Sequence, residues 1–155
     1  MTIFMHYDGI EGEHSLNGEA GYIKLESLGW GMSRASGAVR AGLRARTEPA
    51  VTEVTCTKVS DTSTIGLLTE GFTGKFDRMV TISFVRQGTG MLLPYLVYTL
   101  GEAGIASFQH SSAGDGVPME SFAINFTTID IKYTAYGDDL TGVSANILYN
   151  VATGD

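Results

Sequence analysis

Residues 119–137 alternate apolar and polar side chains and then change phase, which limits the fold more than any other stretch. Phe122, Ile124 and Phe126 fall on one face of an extended chain, with Ser121, Ala123 and Asn125 on the other. A period of two in β-branched and aromatic residues is the pattern of a half-buried strand. After Thr127 and Thr128 the alternation resumes with Ile129, Ile131, Tyr133 and Ala135 inward and Asp130, Lys132 and Thr134 outward. The step from Phe126 to Ile129 is odd, so every later side chain would turn over unless a bulge or bend absorbs the slip. The pattern predicts one long strand bent at Thr127 and Thr128, as where a sheet curls into a barrel.

A chain of 155 residues and 16.5 kDa can bury on the order of 70% of its unfolded surface. One domain spanning residues 1–155 is expected, with no metal, disulfide or cofactor needed to hold it. Only 17% of residues are charged against 43% hydrophobic, and 20 glycines accompany 3 prolines. That balance suits a turn-rich all-β protein. The net charge is −7, and outside residues 34–48 there are 6 basic against 16 acidic residues, a net of −10. So acidic a body argues against nucleic acid as a partner. Cys56 is the one cysteine, which excludes an internal disulfide and suits folding in the cytoplasm. Set among Val54, Thr55 and Thr57, it reads as a buried, inert thiol. The N-terminal residues carry no basic, apolar leader pattern, and no segment approaches the roughly 20 apolar residues of a membrane helix.

Along the chain, residues 2–7 read as a first strand and 8–13 as an acidic turn whose carboxylates lack calcium-loop spacing. Residues 21–31 form a second strand with Ile23 and Leu25 toward the core, and Trp30 between Gly29 and Gly31 is a packing anchor. Residues 32–50 break the rhythm. Arg34, Arg40, Arg44 and Arg46 sit there with one acid, Glu48, and Leu43 lies among them. A loop this long is uncommon in a compact domain. It reads as a solvated surface loop or as a cationic arm docking on the acidic body of another copy, with direct phosphate binding a third option. Strand alternation returns over 51–59. Then 60–63 supply N-cap oxygens, Ile65, Leu68 and Phe72 recur at helical spacing beside Leu67, and Gly74 is a stop, which predicts one helix over 63–73. Gly66 and Gly71 each weaken it by roughly 1 kcal/mol, so it must lean on the barrel. Residues 76–86 and 91–100 read as a hairpin about 87–90, residues 102–112 continue the meander, and 143–151 form the last strand.

Catalytic signatures are missing. His6, His14 and His110 stand at no metal-ligand spacing, and no nucleophile elbow or phosphate-binding loop is present. Asp138 and Asp139 sit in a glycine-bounded turn, where water keeps carboxylates ordinary. An enzyme is not expected; only carboxylates clustered in space would revive that reading.

Glu120-x-Phe122-x-Ile124-Asn125-Phe126-x-x-Ile129-x-Ile131-x-Tyr133 resembles the signature strand pair of the hemolysin-coregulated proteins, tube subunits of bacterial type VI secretion systems. Asp8-Gly9-Ile10-x-Gly12-Glu13, Gly31 and Ser33 after Trp30, the long loop, Thr57-Lys58-Val59-x-Asp61 before Leu67-Leu68, and Tyr95-Leu96 agree in the same order. The resemblance implies a curled antiparallel two-sheet β-barrel with one flanking helix. It further implies a homohexameric ring with a wide channel, and stacked rings forming a tube. A contractile sheath fires that tube from the cytoplasm behind a spike trimer, and small effector proteins ride in its lumen. Arg34, Arg40, Leu43, Arg44 and Arg46 are the expected subunit-interface residues, on the loop that the family uses for contacts between subunits. This loop is richer in arginine and poorer in glycine than in many relatives. The rival readings are a bacteriophage tail-tube-like subunit and a monomeric ligand-binding β-barrel.

Overall fold

The computed structural model describes residues 1–34, 49–137 and 142–155. Its elements run β1 (Thr2–Tyr7), β2 (His14–Leu16), β3 (Glu19–Leu25), β4 (Ser27–Gly29), β5 (Met32–Ser33), β6 (Ala50–Val51), β7 (Val54–Val59), α1 (Ser63–Thr73), β8 (Arg78–Gln87), β9 (Leu92–Ser111), β10 (Met119–Asn125), β11 (Thr128–Tyr136) and β12 (Gly142–Asn150). The fold is mainly antiparallel β with one helix among the described residues, as the sequence predicts.

The strand that organises the sheets is β9, and its length is a correction: two strands, 91–100 and 102–112, were expected where one runs through. Its first half pairs with β8 on one side and with β11 on the other. Its second half pairs with β10. Between the halves Glu102 takes a positive φ of 47°, a conformation uncommon outside glycine, and the strand turns from one sheet into the other. A large sheet β2-β3-β1-β8-β9-β11-β12 and a small sheet β9-β10-β7-β4 therefore share this strand. The opposite corner is made by β3 and β4, which Glu26 alone separates. The Glu26 N–H donates to the Thr57 carbonyl at 2.7 Å. β3 pairs with β1 and β4 with β7, so the sheets close on one another.

The stretch 119–137 does bend at Thr127 and Thr128, but it breaks there rather than continuing as one strand. β10 and β11 face different halves of β9, and the Thr127 N–H donates to the Gly101 carbonyl at 3.0 Å between them. Phe122, Ile124, Phe126 and Ile129 are buried as read. Tyr133 and Ala135, expected inward, are exposed, because the sheet outruns the core it covers. Two other predicted strands are split: 21–31 at Glu26, and 51–59 into β6 and β7. β2 was not foreseen.

Both sheets fill the interior. Met5, Tyr7, Ile23, Val80, Ile82 and Leu100 meet Val54, Cys56, Phe122 and Ile124, and Phe108 stacks on Phe122 with ring centroids 6.3 Å apart. Burial pushes the Cys56 thiol up to about 12, which suppresses thiolate formation.

α1 has the predicted bounds and the opposite face. Ile65 and Phe72 are 71% and 86% exposed, while Ser63, Leu67 and Glu70 are buried. Ions decide this orientation. Lys58 and Glu120 are buried on neighbouring strands, with Lys58 Nζ 2.8 Å from Glu120 Oε2 and 2.8 Å from Asp61 Oδ1. Glu120 Oε1 accepts the Ser60 and Thr64 hydroxyls. Asp61 accepts the Ser63 N–H at 2.9 Å and the Ser63 hydroxyl, taking up a free donor of the helix start. Burial pushes the Asp61 carboxyl up, but Lys58 and Ser63 outweigh it and hold it below its ordinary value. At the far end Glu70 meets Arg78 at 3.0 Å, and Gly74, at φ 68°, ends the helix. Gly66 permits the close lean on the barrel: a Cβ there would stand 2.9 Å from Ile10 Cγ2.

Two predictions follow from these contacts. A Cβ on Gly104 would lie 2.2 Å from the Lys75 backbone carbonyl, and one on Gly101 would lie 2.2 Å from the rotatable Thr128 hydroxyl. In urea unfolding Gly104→Ala should cost about 2 kcal/mol or more and Gly101→Ala less, as overpacking against fixed backbone does; equal costs would contradict the corner geometry. Lys58→Met, which leaves the Glu120 carboxylate buried without its cation, should cost roughly 3–5 kcal/mol, and adding Glu120→Leu should recover much of that loss. A double variant no more stable than the single one would mean that the pair does not carry the cluster.

Candidate subunit interface

The uncovered end of the large sheet is where the surface departs from that of an ordinary barrel. Register aligns Ile129 with Tyr149, Ile131 with Ile147, Tyr133 with Ala145 and Ala135 with Val143, so these side chains share one face. Near Ile129 that face is the core. Toward the other end it loses its cover, and Tyr133, Ile147 and Val143 are 54%, 67% and 80% exposed. Among the described residues β12 pairs only with β11, which leaves the outer edge of its nine residues without a partner strand there. Bare, apolar sheet edges are templates for association.

Beside this face lies an apolar groove of about 280 Å³ whose lining includes Trp30, Met32, Val51, Ile131, Ile147 and Tyr149. The short β5-β6 ladder forms one rim through Met32↔Val51 and Ser33↔Ala50. Trp30 is the anchor expected of it, with its ring 6.1 Å from that of Tyr98. A Cβ on Gly29 would meet Thr55 Oγ1 at 3.1 Å, whereas Gly31 has open space, so only the first glycine serves close approach. At the sheet tip, Arg86 lies over the Tyr136 ring at 5.6 Å, and the Tyr95 and Tyr133 rings meet edge to face at 6.3 Å. Tyrosine and arginine around an apolar centre are the composition of interface hot spots.

Of the five predicted interface residues, Arg34 is exposed immediately after β5. Arg40, Leu43, Arg44 and Arg46 lie outside the described residues. An acidic counterpart is present in the turns around β1, β2 and β3, where Asp8, Glu11, Glu13 and Glu19 are all exposed. Glu13 Oε1 also accepts the Thr62 N–H at 3.0 Å, beside the start of α1. Sequence reasoning missed Tyr133, Val143 and Ile147 as surface groups. Their alternation marks a face but says nothing of what lies over it. Among the described residues, no cluster of three or more His, Cys, Asp or Glu could hold a metal, and no helix is long and apolar enough to cross a membrane.

The sequence matches, over residues 4–133, the family described as "Type VI secretion system effector, Hcp". The chain belongs to the Hcp family. No curated protein sequence matches it significantly. Solved structures share its fold. A type six secretion system protein is 15% identical, with a TM-score of 0.85 covering 99% of this chain and 98% of that one. Hcp1 from Salmonella typhimurium is 21% identical, with a TM-score of 0.76 covering 98% and 95%. A type VI secretion system effector from Yersinia pestis is 19% identical, with a TM-score of 0.73 covering 94% and 98%.

For an Hcp chain with this exposed face, replacing Val143 and Ile147 by serine should weaken self-association at least tenfold in sedimentation experiments. Unfolding free energy should move by no more than about 0.5 kcal/mol, as for surface positions. Unchanged association would exclude the face as a contact.

Proposed function

We propose that this Hcp protein is a structural tube subunit of a type VI secretion system, with residues 1–155 acting as one domain. Six copies close into a ring around a channel, and rings stack into a tube. The observation that carries the reading is the apolar end of β11 and β12, which extends the core face past its cover and ends in an open edge. A second copy is a fitting cover, because the chain joins an acidic body to one arginine-rich segment. Heterologous contacts that close by rotation give a ring, and the opposed charges steer copies together and fix their orientation. Arg34, Arg40, Arg44 and Arg46 supply the cationic side, Leu43 an apolar contact, and the Asp8 to Glu19 turns an anionic one.

Family membership extends the reading to a spike trimer, a contractile sheath and small effector proteins carried in the lumen. Assembly takes place in the bacterial cytoplasm, followed by export through the secretion system. The role is structural rather than enzymatic, and neither nucleic acid nor membrane insertion enters into it. Between the rivals, the Hcp match favours this reading over a phage tail tube. The groove lies beside the sheet edge while Tyr7, Ile23 and Phe122 fill the interior, an arrangement that suits a subunit contact better than an enclosed ligand.

Sedimentation velocity should give a particle of about 99 kDa, six times the 16.5 kDa chain; a monomer or dimer at all accessible concentrations would reject the ring. Arg40→Glu, Arg44→Glu and Arg46→Glu together should weaken association, and added salt should weaken the wild-type contact in the same direction. The melting temperature should stay close to wild type. Rings and stacks that persist unchanged in the triple variant would reject the cationic arm.

A further inference from the structure

Among the described residues, one cation at the tip of the large sheet is held in place without an acid to meet. Arg86, exposed near the end of β8, lies over the Tyr136 ring at 5.6 Å. The Tyr136 hydroxyl donates to the Pro94 carbonyl at 2.8 Å, so the ring is fixed and the guanidinium rests on it. That support sets Arg86 apart from the exposed Lys24, Lys75 and Lys132. Arg78 meets Glu70, and Lys58 meets Asp61 and Glu120, but no described carboxylate stands within ion-pair distance of Arg86. Arg86 lines a notch of about 290 Å³ together with Tyr95, Tyr133 and Thr134. The Tyr95 hydroxyl is engaged with Met1 Sδ, and Thr134 Oγ1 with Ser144 Oγ at 2.9 Å. That leaves the guanidinium, which can only donate, and the Tyr133 hydroxyl. Such a pair calls for an acceptor, and a planar guanidinium matches a carboxylate through two parallel hydrogen bonds.

We infer that this notch is a carboxylate-binding site and that its occupant is an Asp or Glu side chain of a second copy, which rests on the ring reading above. Tyr133 belongs both to the notch and to the uncovered apolar face, so a copy that covers the face also closes over Arg86. Covering a cation without bringing an acid to it strands a desolvated charge, which costs more than the contact gains. The chain carries 17 acidic residues against 10 basic ones, so the surface that another copy presents is rich in the group required. The apolar face alone lets copies slide over one another, because burial has no direction. One forked pair at its end stops the slide and sets the register between copies.

A zero-length cross-link tests the pairing. Arg86→Lys keeps the charge and places a primary amine at the notch, which a carbodiimide joins to a carboxylate in contact with it. When isotope-labelled and unlabelled chains are mixed before assembly, particles of ring mass should yield position 86 joined to an Asp or Glu of a different copy, read by mass spectrometry as mixed-isotope peptide pairs. Arg86→Gln should weaken association about tenfold in sedimentation experiments. Its melting temperature should stay close to wild type, because Arg86 is exposed. Position 86 left unlinked in particles of ring mass, or joined only within its own copy, as to Asp138 or Asp139 just beyond Tyr136 in the chain, overturns the site and leaves the ring standing. An Arg86→Gln chain that associates as tightly as wild type does the same. A wild-type chain that stays monomeric removes the ring and the site with it.

Discussion

The turn of β9 at Glu102 is the constraint on which the rest of this molecule depends. A sheet becomes a barrel only if some strand belongs to both walls, and here one twenty-residue strand does so. The turn needs close approach on both sides. Gly101 lies against Thr128, Gly104 against the Lys75 carbonyl, and neither has room for a Cβ. β10 and β11 must part opposite this corner, which explains why the apolar phase slips between Phe126 and Ile129 and why Thr127 bonds across to Gly101. The slip and the glycines are two views of one bend.

The same corner creates the surfaces on which the proposed assembly depends. With the small sheet turned away from it, the far half of the large sheet has no cover among the described residues, and residues that continue the core pattern, Tyr133, Val143 and Ile147, are exposed. α1 does not fill the gap. It is fixed elsewhere, its first turn held by the Lys58, Asp61 and Glu120 cluster and its last by Glu70 and Arg78. A buried ion pair contributes little net stability, but removing one partner is costly. Such a cluster therefore sets orientation more than affinity, and it turns the helix so that Ile65 and Phe72 face outward.

Much of this was legible in the sequence where one face of an element was fully buried. β1 and the bounds of α1 followed from alternation, capping residues and Gly74, and the Hcp resemblance followed from the ordered motifs around β10 and β11. The helix face was not legible. Pattern reading sends Ile65, Leu68 and Phe72 inward because it ranks side chains by hydropathy, and it cannot see that Glu70 meets the half-buried Arg78 at 3.0 Å. The alternation of Val54, Cys56 and Lys58 did hold the clue, since a lysine in phase with two buried residues demands a buried acid. The proposed interface was half legible. Arginines in a long segment against an acidic body suggested a second copy, but alternation over 143–151 is the same whether its apolar face meets a core, a neighbour or water.

Open edges and bare apolar faces are costly to a protein that stays alone, and solitary barrels blunt them with charge, proline or bulges. β12 has none of these: from Gly142 to Asn150 it carries no charged residue and no proline, and its pairing with β11 runs without a register shift. The repulsion that would keep copies apart is instead spread over the acidic body, where 16 acidic and 6 basic residues lie outside residues 34–48. In the proposed ring, diffuse negative charge against a localised positive one would select a single way for copies to meet, while the uncovered face would supply the attraction once they do. Neither alone would close the proposed ring: charge without the face would give loose encounters, and the face without charge would give aggregates.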